Sequence, residues 1–159
     1  MADMLTQHNI GAYGDLVRMS DHETTTAAGA GDASTFTGNT IDREGFGNSG
    51  PSLSALMGVI YEATLASGKT YSIGYGVQHS PDNSTWTDYQ TATYVVVATG
   101  ISGGGVAKGQ FNVQVDLTNA KRYVRFMANA DLNATGTDTS YYDVVGFFAG
   151  MDRLPAFQS

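Results

Sequence analysis

Gln78 to Tyr89 read QHSPDNSTWTDY and directly follow the alternating run TYSIGYGV. A histidine beside a serine, two aspartates, an Asn-Ser-Thr triplet and the sole tryptophan are the raw materials of nucleophilic catalysis, calcium ligation or glycan attachment. Spacing argues against the first two. Neighbouring residues on a strand project to opposite faces, so His79 has no direct route to the Ser80 hydroxyl. Asp82-Asn83-Ser84 lacks the glycine and the distal glutamate of a calcium loop, and His8, His22 and His79 follow no metal-ligand spacing.

Other segments fare no better as catalytic sites. GNSGPS around Ser49 has the composition of a serine-protease nucleophile loop, but a triad needs a histidine oriented by a carboxylate, and His8 and His22 lie in a weakly patterned stretch. GISGGGVAKG fails as a phosphate loop because Lys108 precedes a glycine and no Ser or Thr follows it. Asn83-Ser84-Thr85 and Asn133-Ala134-Thr135 fit the N-glycosylation pattern, yet MADMLTQHNI lacks the basic-then-apolar order of a signal peptide. The expectation is a soluble, unprocessed chain with no catalytic, cofactor or metal residue, in which His79 and Asp82 do no chemistry. The aromatics Tyr61, Tyr71, Tyr75, Trp86 and Tyr89 have two uses, a sugar-stacking platform or core and interface anchors, and the second is the commoner one.

The whole chain of 159 residues has the size of one domain, and its lack of cysteine excludes disulfides and thiolate metal sites. A net charge of −7, with only eight scattered basic residues, argues against nucleic acid as a partner. Lys121, Arg122 and Arg125 are neighbours in sequence, but Arg122 and Arg125 project to opposite sides of a strand. No apolar run has the length of a membrane-spanning helix.

Elements that would position these residues are strands. Gly and Thr are frequent, and period-two alternation dominates from Ile41 onward. Tyr71, Ile73, Tyr75 and Val77 share one face; SPDNS turns the chain, and TWTDYQTATYVVV returns it. QFNVQVDL, RYVRFMANA and YYDVVGFFAGM are further strands, and LSALMGVIYEATL is read as a strand bulged or bent near Gly58. Residues 1–40 are less patterned and are expected to form an extended N-terminal arm or loops, with short strands at Leu16 to Met19 and Ser34 to Phe36. Six to nine strands without an amphipathic helix predict an all-β fold: a single β-sandwich or jelly-roll-like body over residues 41–159 behind the arm. The expected anchors of core or interface are Tyr71, Tyr75, Trp86, Tyr89, Phe147 and Phe148, with Trp86 buried.

Several segments, in order, resemble a family of small structural proteins of tailed bacteriophages: IDREGF (Ile41 to Phe46), GKTYSIGYGVQHSPDNSTWTDY (Gly68 to Tyr89), AKRYVRF (Ala120 to Phe126) and VVGFFAGMDRLPAF (Val144 to Phe157). The resemblance implies a non-enzymatic virion protein on the capsid surface, foremost a decoration (cement) protein that binds and stabilises the shell of the major capsid protein. It also implies self-association, with a trimer favoured. A tail or connector component, and a glycan-binding module with Trp86 as its platform, are the alternatives.

Overall fold

The computed structural model describes residues 11, 13–46, 50–134 and 136–151. His8, Gly47 to Ser49, Thr135 of the second acceptor triplet and the tail after Met151 lie outside the described residues. Ten strands are present among those described: β1 (Gly14–Arg18), β2 (Glu23–Thr26), β3 (Ser34–Thr37), β4 (Ile41–Asp42), β5 (Ser54–Leu65), β6 (Thr70–Ser80), β7 (Thr87–Thr99), β8 (Gly105–Asp116), β9 (Tyr123–Leu132) and β10 (Thr139–Ala149). All pairings are antiparallel. The first sheet runs β1-β10-β5-β8, with β2 also on β10, and the second runs β3-β9-β6-β7, with β4 also on β9.

The order follows from nested hairpins. Counting inward from both ends, β1 and β2 meet β10, β3 and β4 meet β9, β5 meets β8, and β6 meets β7. Rolling such a nested hairpin so that alternate pairs fall on opposite layers gives the two sheets of a jelly-roll β-sandwich. Alternation in sequence decides which faces meet. Odd residues of β5 (Ala55, Met57, Val59, Ala63, Leu65) and even residues of β10 (Tyr142, Val144, Phe148) point inward, towards Tyr71, Ile73 and Val77 of β6 and Val124, Phe126, Ala128 and Ala130 of β9. Val113, Val115 and Leu117 extend this core, as the reading of QFNVQVDL expects.

Three expectations are corrected. Residues 14–37 are not an arm: β1 and β2 complete one sheet and β3 the other, so the body begins well before Ile41. The short strands expected at Leu16 to Met19 and Ser34 to Phe36 fall on β1 and β3, while β2 escapes an alternation test; all three are edge strands that bury little, Thr25 being the one buried residue of β2 and β3 having none. They are held by backbone pairing and by Asp32, whose carboxylate accepts from Ala28 N at 2.6 Å and from Leu132 N at 2.9 Å. Second, β5 has no bulge at Gly58, which pairs in register with both Val145 and Asn112. The register shifts fall between β6 and β7 instead. Third, the strand expected at QFNVQVDL is longer than its alternation indicates: β8 starts at Gly105, within the glycine run.

One defect lies inside this core. Among the described residues the Tyr71 hydroxyl and Ser140 Oγ are buried and neither meets a partner in good hydrogen-bond geometry, although the two hydroxyls are close enough to influence each other. Loss of hydration pushes the Tyr71 pKa up to about 12, against which Ser140 works in the opposite direction. Unsatisfied buried groups cost free energy that a flush apolar replacement does not. The double variant Tyr71→Phe, Ser140→Ala is therefore expected to gain about 1 kcal/mol of stability, seen as a higher urea midpoint at unchanged slope. A lower midpoint would mean that the two groups are bonded in solution.

Candidate functional site

The stretch that invites a catalytic reading is a finished hairpin. Asp82 accepts hydrogen bonds from Ser84 N (3.0 Å), Thr85 N (2.8 Å), Ser80 Oγ (2.9 Å) and Thr85 Oγ1 (3.2 Å). The two backbone amides, then Ser80, hold its carboxyl well below the usual carboxylate range. Asn83 sits at φ 59°, the left-handed conformation that such a turn needs and asparagine tolerates. His79 lies 5.0 Å from the Tyr89 ring, and its Nδ1 accepts from Lys121 N at 3.2 Å. Desolvation, then the Lys121 and Arg43 cations, lower its pKa. Both side chains are committed to holding the hairpin.

Trp86 is not a core residue. It precedes β7, is half-buried, and carries the Arg125 guanidinium 4.0 Å from its ring centroid. Arg125 in turn donates to Gln78 Oε1 from Nε (3.0 Å) and Nη2 (2.7 Å), and Gln78 donates to Asp88 at 2.8 Å. This ladder lies on the outer side of the second sheet, where odd residues of β9 point. Trp86→Ala is expected to cost about 1 to 2 kcal/mol, from one partly exposed cation–π contact and partial burial. Thermal melting checks it, and a loss of about 4 kcal/mol would place the ring in the core.

The other expected anchors divide three ways. Tyr71 and Phe148 are fully buried, and Phe148 stacks on Phe46 at 5.5 Å. Tyr75 and Tyr89 line the seam where β7 approaches β8: Tyr75 packs on Phe111 at 5.4 Å, and the Tyr89 hydroxyl donates to Asp116 O at 2.6 Å. Tyr61 repeats the device from the other sheet, donating to Val97 O at 2.6 Å. Phe147 belongs with none of these. It is half-buried and points outward from the first sheet.

The surface around Phe147 is what sequence reasoning missed. In register across three strands stand Leu16 (β1), Phe147 (β10) and Leu56 (β5), with Val145 one outward step along β10 opposite Gly58. Leu16 is 66 % exposed and Leu56 39 % exposed, and an open trough of ≈ 630 Å³ runs beside Leu56 between Ser54 and Gln114. Contiguous apolar side chains on an outer sheet face are contact material for another macromolecule. The signal was present in LSALMGVIYEATL: a strand apolar at odd and even positions has two faces to cover, and the sandwich covers one.

Further along the same face the character turns polar. Glu62 Oε2 accepts from Lys108 Nζ at 2.6 Å and from the Tyr141 hydroxyl at 2.8 Å, which keeps the carboxyl below its ordinary value. His22 Nδ1 meets Asp143 Oδ2 at 3.0 Å, and the His22 ring lies 4.6 Å from that of Tyr141. Among the described residues no group of three or more His, Cys, Asp or Glu is placed to hold a metal. The basic residues do not form a face: Arg122 is engaged with Asp42 (2.7 Å) and Arg125 with Trp86.

No protein-family model matches this chain, and no curated protein matches it either. Among solved structures it is similar to infectious bursal disease virus, Gx strain (12% identity, TM-score 0.45, 91% of this chain and 35% of that chain). It is also similar to the PBSX exported protein XepA (16%, 0.42, 91% and 40%) and to the C-terminal family 22 carbohydrate binding module of Clostridium thermocellum Xyn10B (11%, 0.40, 89% and 96%). The chain spans about a third of the length of the viral chain and two-fifths of XepA.

Proposed function

We propose that this chain is a non-enzymatic virion structural protein, a capsid decoration protein that binds the shell of the major capsid protein through the outer face of its first sheet. The observation that carries the proposal is the outward apolar strip of Leu16, Phe147, Leu56 and Val145, in which Leu16 and Leu56 are exposed and Phe147 and Val145 half-buried. A few large apolar residues at the centre of a contact supply most of its binding energy, with polar neighbours sealing the rim. Gln114 and Asn112 on β8, in register with Leu56 and Gly58, are such neighbours. The resemblance of ordered sequence segments to tailed-phage structural proteins supports the same reading, as does a hairpin whose polar residues are spent on its own turn.

The decisive experiment is electron microscopy of the purified particle combined with copy counting. Decoration requires a copy number comparable to that of the major capsid protein and density on the outer shell, with trimers clustering about three-fold positions. A few copies at one vertex would make the chain a tail or connector component. In reconstitution, the double variant Leu16→Asp, Leu56→Lys is expected to abolish shell binding while leaving the melting temperature nearly unchanged, because both side chains face solvent.

A further inference from the structure

The polar end of the first sheet's outer face is a groove of ≈ 310 Å³ lined by Thr24, Thr26, Thr64, Thr139, Tyr141 and Glu62. Thr26, Thr139 and Thr64 stand in one register row across β2, β10 and β5, and Thr24, Tyr141 and Glu62 form the next outward row. Hydroxyl groups therefore repeat across adjacent strands at about 4.8 Å. We propose that this groove is a binding site for a neutral saccharide, distinct from the apolar strip and independent of shell binding.

The chemistry selects the ligand class. Glu62 Oε2 is taken by Lys108 and Tyr141, while among the described residues no donor meets its Oε1, and Lys108 is 71 % exposed. A carboxylate and an ammonium held 2.6 Å apart match a vicinal diol: one hydroxyl donates to Glu62 while its neighbour accepts from Lys108. The four threonines add hydroxyls able to donate and accept, which suits a ligand that does both. The carboxylates of the site are engaged, Glu62 in an ion pair with Lys108 and Asp143 in a hydrogen-bond contact with His22. Among the described residues, a phosphate or acidic sugar would find no surplus cation at the groove, and a metal ion no cluster of ligating side chains.

Apolar surface for the C–H face of a sugar lies alongside. Ile60 is 51 % exposed between Glu62 and Gly58 on the outer side of β5, and Tyr141 forms part of the groove wall. His22 packs on Tyr141 from a backbone conformation of φ 66°, uncommon for a residue with a side chain and a way of fixing the rim before a ligand arrives. The volume is at the small end of ligand sites, room for one or two sugar rings. Phe147 lies six residues beyond Tyr141 on β10, about 20 Å of strand, so a ligand confined to the threonine rows leaves Leu16, Phe147 and Leu56 free. Trp86 is the poorer platform, since Arg125 covers one face of its ring.

The test is a glycan array carrying neutral oligosaccharides beside sialylated and sulfated ones, followed by titration calorimetry with the best neutral binder. The expected result is binding to neutral glycans, weakened roughly tenfold or more, equivalent to 1.4 kcal/mol per decade, by Glu62→Gln. Thr64→Val, a near-isosteric change at an exposed strand position, should weaken it too without altering the melting temperature. No binding to any glycan, binding confined to acidic glycans, or affinity unchanged in both variants would overturn the proposal. So would a loss caused by Trp86→Ala alone.

Discussion

Phe148→Ala is expected to lower stability by about 3 to 5 kcal/mol, a fall in melting temperature of roughly 10 °C for a domain of this size. Phe148 has no exposed surface and stacks on Phe46 at an interplanar angle of 26°. The lost burial is one part of the cost. The other is the void, and its size depends on how far the surroundings collapse. Here they have little freedom, because β10 is a central strand, paired in full register with β5 on one side and with β1 and β2 on the other. Gly146, two residues away on the same face, supplies no side chain to fill the gap; a Cβ there would meet the Phe148 ring at 2.7 Å. The adjacent Phe147→Ala is the internal control. Phe147 points outward and is half-buried, so its loss is expected to cost about 1 kcal/mol. Urea denaturation of the pair checks both, and equal losses would mean that the two faces of β10 are misassigned.

That contrast marks where the sequence is informative and where it is not. Alternation in TYSIGYGV, QFNVQVDL and RYVRFMANA is a local property of strands with one buried face, and the inward residues it selects are the core of the sandwich. Edge strands carry no such mark. Thr24 to Thr26 are held by ladder bonds to β10, and a ladder bond leaves no trace in side-chain type. The apolar strip is illegible for a different reason. Leu16, Leu56 and Phe147 are far apart in the chain and become neighbours only through the registers of β1 and β5 against β10. The groove depends on the same registers, which bring Thr26, Thr64 and Thr139 into one row. Trp86 shows the converse error: a large aromatic at a strand start is ordinarily core, but its position just outside β7 sends it to the outer side, where Arg125 meets it.

Arg43 is the residue whose role composition hides most completely, and Arg43→Met is expected to cost about 3 kcal/mol or more. It is 3% exposed, yet the partners of its side chain are carbonyls rather than a carboxylate. Nε donates to Ser52 O at 2.8 Å, and Nη1 donates to Lys121 O at 3.1 Å and to Ala120 O. The backbone closes the same knot, with Arg43 N donating to Arg122 O (2.9 Å) and Ser52 N to Arg43 O (3.0 Å). Ser52 Oγ reaches Ala149 O at 2.8 Å. One side chain thus ties the β4–β5 connection to the β8–β9 connection, where the chain crosses between sheets, and through Ser52 to the end of β10. Methionine replaces the apolar stem but leaves three carbonyls without their guanidinium donor, the Ser52 contact buried and the Ala120 and Lys121 contacts partly so. Arg43→Lys is expected to recover only part of the loss, since a single ammonium lacks the planar fork that serves Ser52 on one side and Ala120 and Lys121 on the other. Urea midpoints of the two variants test the ranking, and hydrogen exchange at the Ser52 and Leu117 amides tests the location. A loss below about 1 kcal/mol, or protection unchanged at both amides, would reduce the guanidinium to the worth of a surface side chain.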